Sequence, residues 1–235
     1  AAGDGRTAHR VGVVSRPVVD PGGEPPREPG RREQNKADKQ RRIHVAAREL
    51  FSAGGYSSVT TQEVADRAGV GTGTLFRYAR SKAELLCMVA NEDLRAMVDT
   101  VPDTGDPVED LVLLCEPLVR ALDHQPENIV AYHRETLFGE PGPHRSAALA
   151  ILGELRGSIG EILAGHTRPL TDPVLLADCA QTVFDVMYMT IVRSGVDRVP
   201  GRDHRDELRG HVRRVLDGVL PALRAVTEPI PGSAP

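Results

Sequence analysis

One short stretch limits the possible folds of this 235-residue chain more than any other: TTQEVADRAGVGTGTLFRYARSK, which holds closely spaced helix start and stop signals. Thr60 or Thr61 is placed to cap a first short helix. Gly69 is placed to end it, because glycine tolerates the left-handed conformation found after a helix C-terminus. A second short helix is expected at about 71–78, and Ser81 then opens a longer helix with an S-x-x-E capping box. Two short helices joined by a tight turn predict a helix-turn-helix.

The same stretch has glycine at every second position, at Gly69, Gly71 and Gly73, close to cationic side chains. A phosphate-binding loop would need a β-strand before its glycines and a long helix after them. Here a helical pattern precedes Gly69, the spacing does not complete G-x-G-x-x-G, and no Gly-Lys-Ser/Thr sequence follows. The pattern therefore disfavours a nucleotide-binding enzyme.

The second short helix has features of one that contacts nucleic acid. Glycine inside a helix costs about 0.8–1.0 kcal/mol relative to alanine, so Gly71 and Gly73 require a reason. Without Cβ atoms, the helix N-terminus can approach a phosphodiester backbone, where free N–H groups favour an anion. Leu75 is expected to face inward. The polar positions around it are Thr72, Thr74, Arg77 and Tyr78. This pattern predicts a recognition helix in the major groove of DNA, which is roughly 12 Å wide.

The rest of the chain is expected to be helical as well. No stretch alternates with the period of two that marks a half-buried strand, and no internal repeat is present. The first helix is expected to stop at Gly54 and Gly55. Five more helices are expected beyond Pro102, at about 107–123, 126–138, 143–165, 173–194 and 203–226. The predicted fold class is all-α.

Composition divides the chain into four parts. Residues 1–35 are rich in glycine and proline and are expected to form a flexible basic arm, because they are too polar to bury a core. Residues 36–82 form the predicted helix-turn-helix domain and residues 83–228 a larger helical domain. A flexible tail is expected at 229–235.

Charge is distributed unevenly between these parts. Residues 27–82 contain twelve Lys and Arg against six Asp and Glu, whereas residues 83–235 contain fourteen against twenty-four. A basic front on an acidic body is typical of a protein whose front meets a polyanion. The basic segment includes Arg41 and Arg42, and a flexible arm there could enter an adjacent minor groove. A tail that only solubilises the chain is the alternative.

Several features of the whole sequence bear on the cellular compartment of the protein. No apolar run approaches the ~20 residues of a membrane-spanning helix, and no apolar signal segment stands near the start of the sequence. Cys87, Cys115 and Cys179 are scattered and odd in number, which favours reduced, buried thiols. We expect a cytoplasmic protein without a membrane segment, a metal or a cofactor.

The stretch ARELFSAGGYSSVTTQEVADRAGVGTGTLFRYARSKAELL resembles the tetracycline-repressor (TetR) family of transcriptional regulators, over roughly a fifth of the chain. The resemblance implies an all-α homodimer with an N-terminal DNA-binding domain and a variable domain that binds a small-molecule effector. It further implies a repressor that binds a palindromic operator in double-stranded DNA and is released by that effector.

The resemblance also assigns roles to individual residues. Thr61 matches a threonine that caps the second helix and touches phosphate, and Gly71, Thr72, Gly73 and Thr74 match the start of the recognition helix. Arg77 is a candidate for reading a base edge, because guanidinium pairs bidentately with guanine. The remaining matches are Tyr78 and Lys82, expected at the DNA backbone, and Tyr56, for which a core position is the alternative. Ala79 departs from the family, which usually has phenylalanine there, leaving packing to neighbours such as Phe76.

An effector pocket is expected inside the larger domain, between the helix that starts at Ser81 and the helices of residues 107–194. Small-molecule sites usually have apolar walls with few polar groups. The candidate lining residues are Met97, Cys115, Leu118, Tyr132, His133, Phe138, Phe184 and Tyr188. Each of them could instead be plain core.

Dimerisation is expected on the last two helices. The stretch PVLLADCAQTVFDVMYMTIVRSG is apolar on more than one face, and a helix of that kind must be covered on both sides. The apolar positions are Leu176, Val183, Phe184, Val186, Met187, Tyr188, Thr190 and Ile191, continued by Leu208, Val212, Val215 and Val219. A purely internal core is the alternative.

Two other functions stay open. An enzyme that uses His124, His133 and His144 is disfavoured, because the sequence has no metal-binding spacing and no nucleophile motif. An architectural DNA-binding protein without an effector is not excluded, although the helical body exceeds what holding two DNA-binding domains requires.

Overall fold

The structure is a computed structural model that describes residues 30–167, 172–197, 199 and 201–225. These residues form helices and turns and contain no strand, which confirms the all-α class. The helices are α1 (Arg31–Ser58), α2 (Thr61–Ala68), α3 (Thr72–Leu75), α4 (Lys82–Val98), α5 (Pro107–Leu114), α6 (Glu116–His124), α7 (Pro126–Phe138), α8 (Pro143–Gly165), α9 (Pro173–Asp197) and α10 (His204–Ala225). Residues 1–29 of the arm expected at 1–35, and the expected tail at 229–235, lie outside the described residues.

Helix α1 begins before the predicted boundary, so residues 31–35 are helical and not part of an arm. The Gly30 N–H donates to the Glu33 carboxylate at 3.3 Å and thereby closes the first turn. At its other end, α1 is interrupted at Gly55, where φ is 74° and ψ is 173°, before helical turns resume as far as Ser58. The predicted stop is therefore a kink.

Two features of the kink require glycine at position 55. Its positive φ lies in the left-handed half of conformational space, which residues with a Cβ rarely adopt. A Cβ atom would also displace the flexible ends of the Gln125 and Glu127 side chains at the start of α7, and with them the bond from the Ser57 N–H to the Glu127 carboxylate. The kink thus lets the end of α1 press against the larger domain.

The predicted helix at 107–123 is two helices, a correction with a local cause. Cys115, at φ −94° and ψ 5°, separates α5 from α6. Pro117 has no N–H to donate, and in a continuous helix its ring would clash with the carbonyl of Leu113. Apolar periodicity alone does not reveal this break.

The larger domain is a bundle in which α4 packs on α7 and α8, and α9 packs on α7, α8 and α10. α1 packs on α2, α4 and α7, so α4 and α7 both contact the DNA-binding domain. All three cysteines are free and buried, as predicted.

Most side chains expected at a dimer interface lie inside the single chain. Val183, Met187, Thr190 and Ile191 on α9 are buried, as are Leu208, Val212 and Val219 on α10. These seven therefore belong to the internal core, which was the alternative. The outward face of α9 instead carries exposed apolar side chains at Val174, Met189 and Val196.

Among the described residues, α9 is also the helix that is long and apolar enough to cross a membrane, judged by length and composition alone. The core helix of a soluble protein meets the same criterion. α9 contacts α7, α8 and α10, and 33% of its most apolar stretch is buried.

Candidate DNA-binding surface and buried cavity

The position of α3 is fixed by the capped helix before it. Thr60, and not Thr61, is the N-cap of α2: its Oγ1 accepts from the Glu63 N–H at 3.2 Å. The Glu63 carboxylate accepts in return from the Thr60 N–H at 2.8 Å. These bonds from Thr60 lower the pKa of Glu63. Thr61 is the first residue of the helix, so the capping role implied for it belongs to its neighbour.

The turn between α2 and α3 is held from both sides. Gly69 has φ 63° and ψ 41°, the left-handed conformation predicted for it, and its N–H donates back to Asp66 at 3.1 Å. Arg42 reaches across from α1, and its Nη1 donates to the Ala68 carbonyl at 3.0 Å. Arg42, expected at DNA, thus also supports the C-terminus of α2.

The start of α3 faces outward. Helix α3 covers only Thr72–Leu75, and turns continue its hydrogen bonding as far as Tyr78, so the predicted helix over 71–78 is shorter. Gly71 and Gly73 are exposed, and Cβ atoms built on them would meet nothing within 4 Å in the described part of the chain. Neither has a positive φ. Their lack of a side chain therefore has no explanation in the internal packing and leaves room for a partner.

The side chains of residues 72–79 include some that are buried in the core and others that are exposed. Leu75 and Ala79 are buried, and Leu75 anchors the segment in the core. Phe76, expected to fill the space left by the small Ala79, is 42% exposed instead. Arg77 is exposed beside it, and Thr74 is half-buried. Thr72 donates from Oγ1 to the Gln62 amide oxygen at 2.8 Å, which ties α3 to α2.

Three further candidates form contacts with α1. The Tyr78 hydroxyl donates to the Lys36 carbonyl at 3.2 Å, at the exposed beginning of α1. Lys82 Nζ donates to the Tyr56 carbonyl at 2.8 Å and stands 4.3 Å from the centre of the Tyr56 ring. Tyr56 stacks on Phe51, with 6.2 Å between ring centres, which agrees with the core alternative.

The basic residues that were expected in or beside a flexible arm are exposed side chains of α1. Arg31, Arg32, Lys36, Lys39 and Arg41 are all exposed and helical. Arg41 is paired with Asp38 at 3.0 Å. Tyr78 contacts the backbone of this helical stripe at Lys36, so the stripe extends the basic surface of the helix-turn-helix.

A narrow cavity lies in the larger domain, between α4, α6, α7, α8 and α9, and encloses about 10 Å³, about enough for one water molecule. Its walls include six of the eight residues expected to line an effector pocket: Met97, Cys115, Leu118, His133, Phe184 and Tyr188. Leu94, Ile151, Leu152, Leu155, Ile159, Met187 and Ile191 complete the lining. Phe138 is 82% exposed at the end of α7, so the expectation that it faces an internal pocket is wrong for the single chain.

The cavity contains one buried imidazole. His133 is 2% exposed, and its Nδ1 lies 2.8 Å from the Tyr188 hydroxyl. Its Nε2 is buried and has no hydrogen-bond partner among the residues that the structure describes. Burial lowers the pKa of His133 from 6.5 to about 4 and raises that of Tyr188 to about 12, so both are neutral near pH 7.

An open groove of about 540 Å³ lies beside the cavity, between α1, α4, α6 and α7. Tyr132 faces this groove and not the cavity. Leu94 and Leu118 line both spaces and form the wall between them. Arg48 and Arg120 stand among the polar residues at the groove.

A chain of hydrogen bonds connects Tyr132 to Tyr78, the last residue of the recognition segment at 71–78. The spacing of apolar residues did not predict this chain. The Tyr132 hydroxyl donates to the Asn91 amide oxygen at 3.0 Å, and the Asn91 amide nitrogen donates to the His144 carbonyl at 2.8 Å. The His144 Nε2 lies 2.9 Å from the Tyr78 carbonyl and must donate to it, since a carbonyl only accepts. Because these hydrogen-bond partners are far apart in the sequence, no local sequence pattern predicts the bonds.

The N-terminus of α7 is bonded directly to α1. Asn128 donates to the Phe51 carbonyl at 3.0 Å, and Gln125 donates to the Ser52 carbonyl at 3.1 Å. Beyond the kink, the Ser57 N–H donates to the Glu127 carboxylate at 2.9 Å. α7 therefore reaches from the cavity to the DNA-binding domain.

The three histidines of the enzyme hypothesis lie in three separate places in the structure. His133 lines the cavity, His144 bonds the Tyr78 carbonyl, and His124 is exposed with its Nδ1 near the Arg120 carbonyl. Within the described residues, no group of three or more His, Cys, Asp or Glu side chains is arranged to hold a metal ion.

An exposed recognition segment on a capped helix-turn-helix, joined to a helical body, defines a DNA-binding transcriptional regulator. Residues 43–87 match the model of the bacterial regulatory proteins of the tetR family. The HTH-type transcriptional repressor KstR of Rhodococcus jostii (strain RHA1) is 27% identical over 157 residues, covering 66% of this chain and 72% of that protein. KstR of Mycobacterium tuberculosis is 32% identical over 108 residues, covering 44% of this chain and 49% of that relative, about half its length.

Solved structures share the fold. A TetR transcriptional regulator from Rhodococcus sp. RHA1 superposes with a TM-score of 0.60 at 21% identity, covering 78% of this chain and 98% of that one. The TetR-family repressor FadR of Thermus thermophilus, solved with lauroyl-CoA, gives a TM-score of 0.53 at 26% identity, covering 83% and 98%. The helix-turn-helix at residues 43–87 therefore matches the DNA-binding domain of the TetR family, and the described helices share the fold of TetR regulators.

Proposed function

We propose that this protein is a ligand-responsive transcriptional repressor that binds a palindromic operator as a homodimer and is released when a small molecule fills the cavity. The observation that carries the proposal is the open, side-chain-free surface at Gly71 and Gly73 on the helix-turn-helix. The relatives support it: KstR is a transcriptional repressor, and BioQ was solved with its double-stranded DNA operator. A protein that acts on operator DNA would work in the cytoplasm, and we include that location in the proposal.

At the operator, the start of α3 would lie against the phosphate backbone and Arg77 would reach a base edge. Gly71 and Gly73 allow close approach, and Thr72 and Thr74 stand between and beside them. A two-fold axis would place the two recognition segments about one helical turn apart, ~34 Å, or a multiple of it. The cationic stripe on α1 would add contacts that depend on salt and not on sequence.

Release would depend on α4 and α7, because both helices line the cavity and also contact the DNA-binding domain. α7 carries His133 in the cavity and, at its N-terminus, bonds α1 through Gln125 and Asn128. α4 carries Asn91 in the hydrogen-bond chain that ends at the Tyr78 carbonyl. A ligand that widens the cavity would move these helices and with them α3. Only a ligand with different affinities for the two arrangements shifts the equilibrium.

The DNA-binding part is tested with an operator selected from random double-stranded DNA. Arg77→Ala should weaken binding by about 1–3 kcal/mol and relax preference at one position, because a bidentate base contact is lost. Arg67→Ala is the matched control, since Arg67 is exposed nearby but pairs with Glu49 at 2.8 Å. The readout is a gel-shift titration at several salt concentrations. Unchanged affinity of Arg77→Ala at every salt concentration would show that this surface does not read DNA.

The ligand-responsive part is tested by screening compounds for release of the operator complex, in parallel with a thermal-shift measurement. A releasing compound should also raise the melting temperature, because it binds the folded state. If no compound stabilises the protein or releases DNA, the architectural alternative is favoured.

A further inference from the structure

We propose that His133 acts as a hydrogen-bond donor, through Nε2–H, to an acceptor oxygen on a neutral, largely apolar effector in the cavity. The inference rests on the proposed function and adds the chemical class of the ligand. A carbonyl oxygen on an apolar frame is the group that this site fits best.

The first reason is that His133 Nε2 is a buried polar atom without a partner. Leaving such an atom unpaired costs free energy of folding, and well-packed proteins rarely do so without cause. The imidazole lines the cavity, and its Nδ1 is already engaged by Tyr188. Nε2 is therefore the atom of this ring that remains for a ligand.

The second reason is the tautomer that Tyr188 favours. A phenol is a good donor and a poor acceptor, because its oxygen lone pair is delocalised into the ring. The bare nitrogen of a neutral imidazole is a strong acceptor. The Tyr188 hydroxyl should therefore donate to Nδ1, and the ring proton then resides on Nε2. A donor at Nε2 selects an acceptor on the ligand. Tyr188 is thus a positioning residue.

The third reason is the character of the remaining wall, which contains no Asp, Glu, Lys or Arg. A buried carboxylate or ammonium would lose its hydration with no ionic partner in the lining, which is costly. Phe184 and Tyr188 stack on each other with 5.4 Å between their ring centres, and both rings line the cavity, so they add apolar surface to its wall. Met97 and Met187 also line the narrow space, and flexible methionines allow it to widen.

The test uses three probes of nearly equal shape: 4-phenylbutan-2-one, butylbenzene and 3-phenylpropanoate. The first two differ by a carbonyl in place of one methylene, and the third carries a charge. Calorimetric titration of the full chain gives the ratio of ketone affinity to hydrocarbon affinity. The hydrogen bond should make this ratio about tenfold higher than in a protein without the donor, and the hydration difference between the two probes cancels in that comparison. The carboxylate should bind more weakly than either.

His133→Phe keeps an aromatic ring and removes the donor, so it should lower the ratio of ketone to hydrocarbon affinity about tenfold while butylbenzene still binds. His124→Phe is the matched control and should keep the ratio, because His124 is exposed and outside the cavity. Nitrogen-15 NMR of the His133 ring reports the tautomer directly and should show the proton on Nε2.

A ratio of ketone to hydrocarbon affinity that His133→Phe leaves unchanged overturns the inference, as does a proton on Nδ1 or binding of neither neutral probe. The proposed function is judged separately by operator release. A compound that releases DNA at the same dose from wild type and His133→Phe overturns the role of His133 and leaves the ligand-responsive repressor standing. Failure of every compound to release DNA overturns the repressor mechanism, whatever the difference in affinity between the ketone and the hydrocarbon.

Discussion

His133 shows how burial turns a titratable residue into a neutral one. Its pKa is lowered from 6.5 to about 4 by desolvation, because the charged imidazolium would lose its water in an apolar cavity. The ring is thus available as a neutral hydrogen-bonding group throughout the physiological range. The same shift makes the folded state sensitive to acid.

The acid sensitivity gives a prediction about stability. Between pH 6.5 and pH 4 the unfolded chain binds a proton at His133 that the folded chain does not bind, so the free energy of unfolding falls as the pH falls. This group should remove about 2 kcal/mol by pH 5 relative to pH 8. His133→Phe should lack this component, as measured by urea unfolding at each pH. Parallel pH profiles for the two proteins would contradict the burial of a neutral imidazole.

At the scale of elements, the junction between α1 and α7 carries the contact between the two domains. Gly55 allows α1 to bend beneath the start of α7, and side chains of α7 bond the backbone of α1 on both sides of the bend. A kink of this kind joins two domains without a long linker. It also makes the junction intolerant of a side chain at that position.

Gly55→Ala should therefore destabilise the protein by more than about 1 kcal/mol, because alanine is strained at positive φ and its Cβ meets Gln125 and Glu127. Gly153→Ala is the control: Gly153 lies within α8, and a Cβ there would meet nothing within 4 Å. That change should stabilise by about 0.5–1 kcal/mol. Chemical denaturation of both variants measures the contrast. Equal effects of the two substitutions would mean that the kink is not constrained.

At the scale of the whole molecule, we propose that two-fold assembly uses the outward faces of α9 and α10, because their inward faces are already covered. Met189 is 57% exposed on α9, in line with Val174 and Val196 along the helix. Exposed apolar side chains arranged along one helix are typical of a surface that meets another protein. An operator with two half-sites needs that assembly for its full affinity.

Met189→Glu should therefore produce a monomer of about 25.4 kDa in light scattering at micromolar concentration, whereas the wild type should have twice that mass. The variant should also bind the two-site operator far more weakly, because each half-site is then bound separately. Leu137→Glu introduces the same charge at an exposed apolar position on α7 and should leave the dimer intact. A monomeric wild type would refute the dimer, and a dimeric Met189→Glu would move the interface elsewhere.

The sequence alone determined the helix-turn-helix and the all-α class, because their signals are local. Gly69 adopts the left-handed turn that its position predicts, Ser81 caps α4, and Leu75 is buried as its spacing requires. Caps and turns act over three or four residues, so they can be read without knowing the fold. The region of the cavity also followed, since apolar spacing marks the inward faces of its helices.

Only the tertiary structure decided which inward residues meet which partners. Tyr132 and His133 are adjacent in sequence, yet one faces the groove and the other the cavity. Lys82 bonds the Tyr56 carbonyl, and His144 bonds the Tyr78 carbonyl. Periodicity gives the direction of a side chain about its own helix axis but not the neighbour it meets. That neighbour is fixed by the relative placement of helices, which depends on packing across the whole chain.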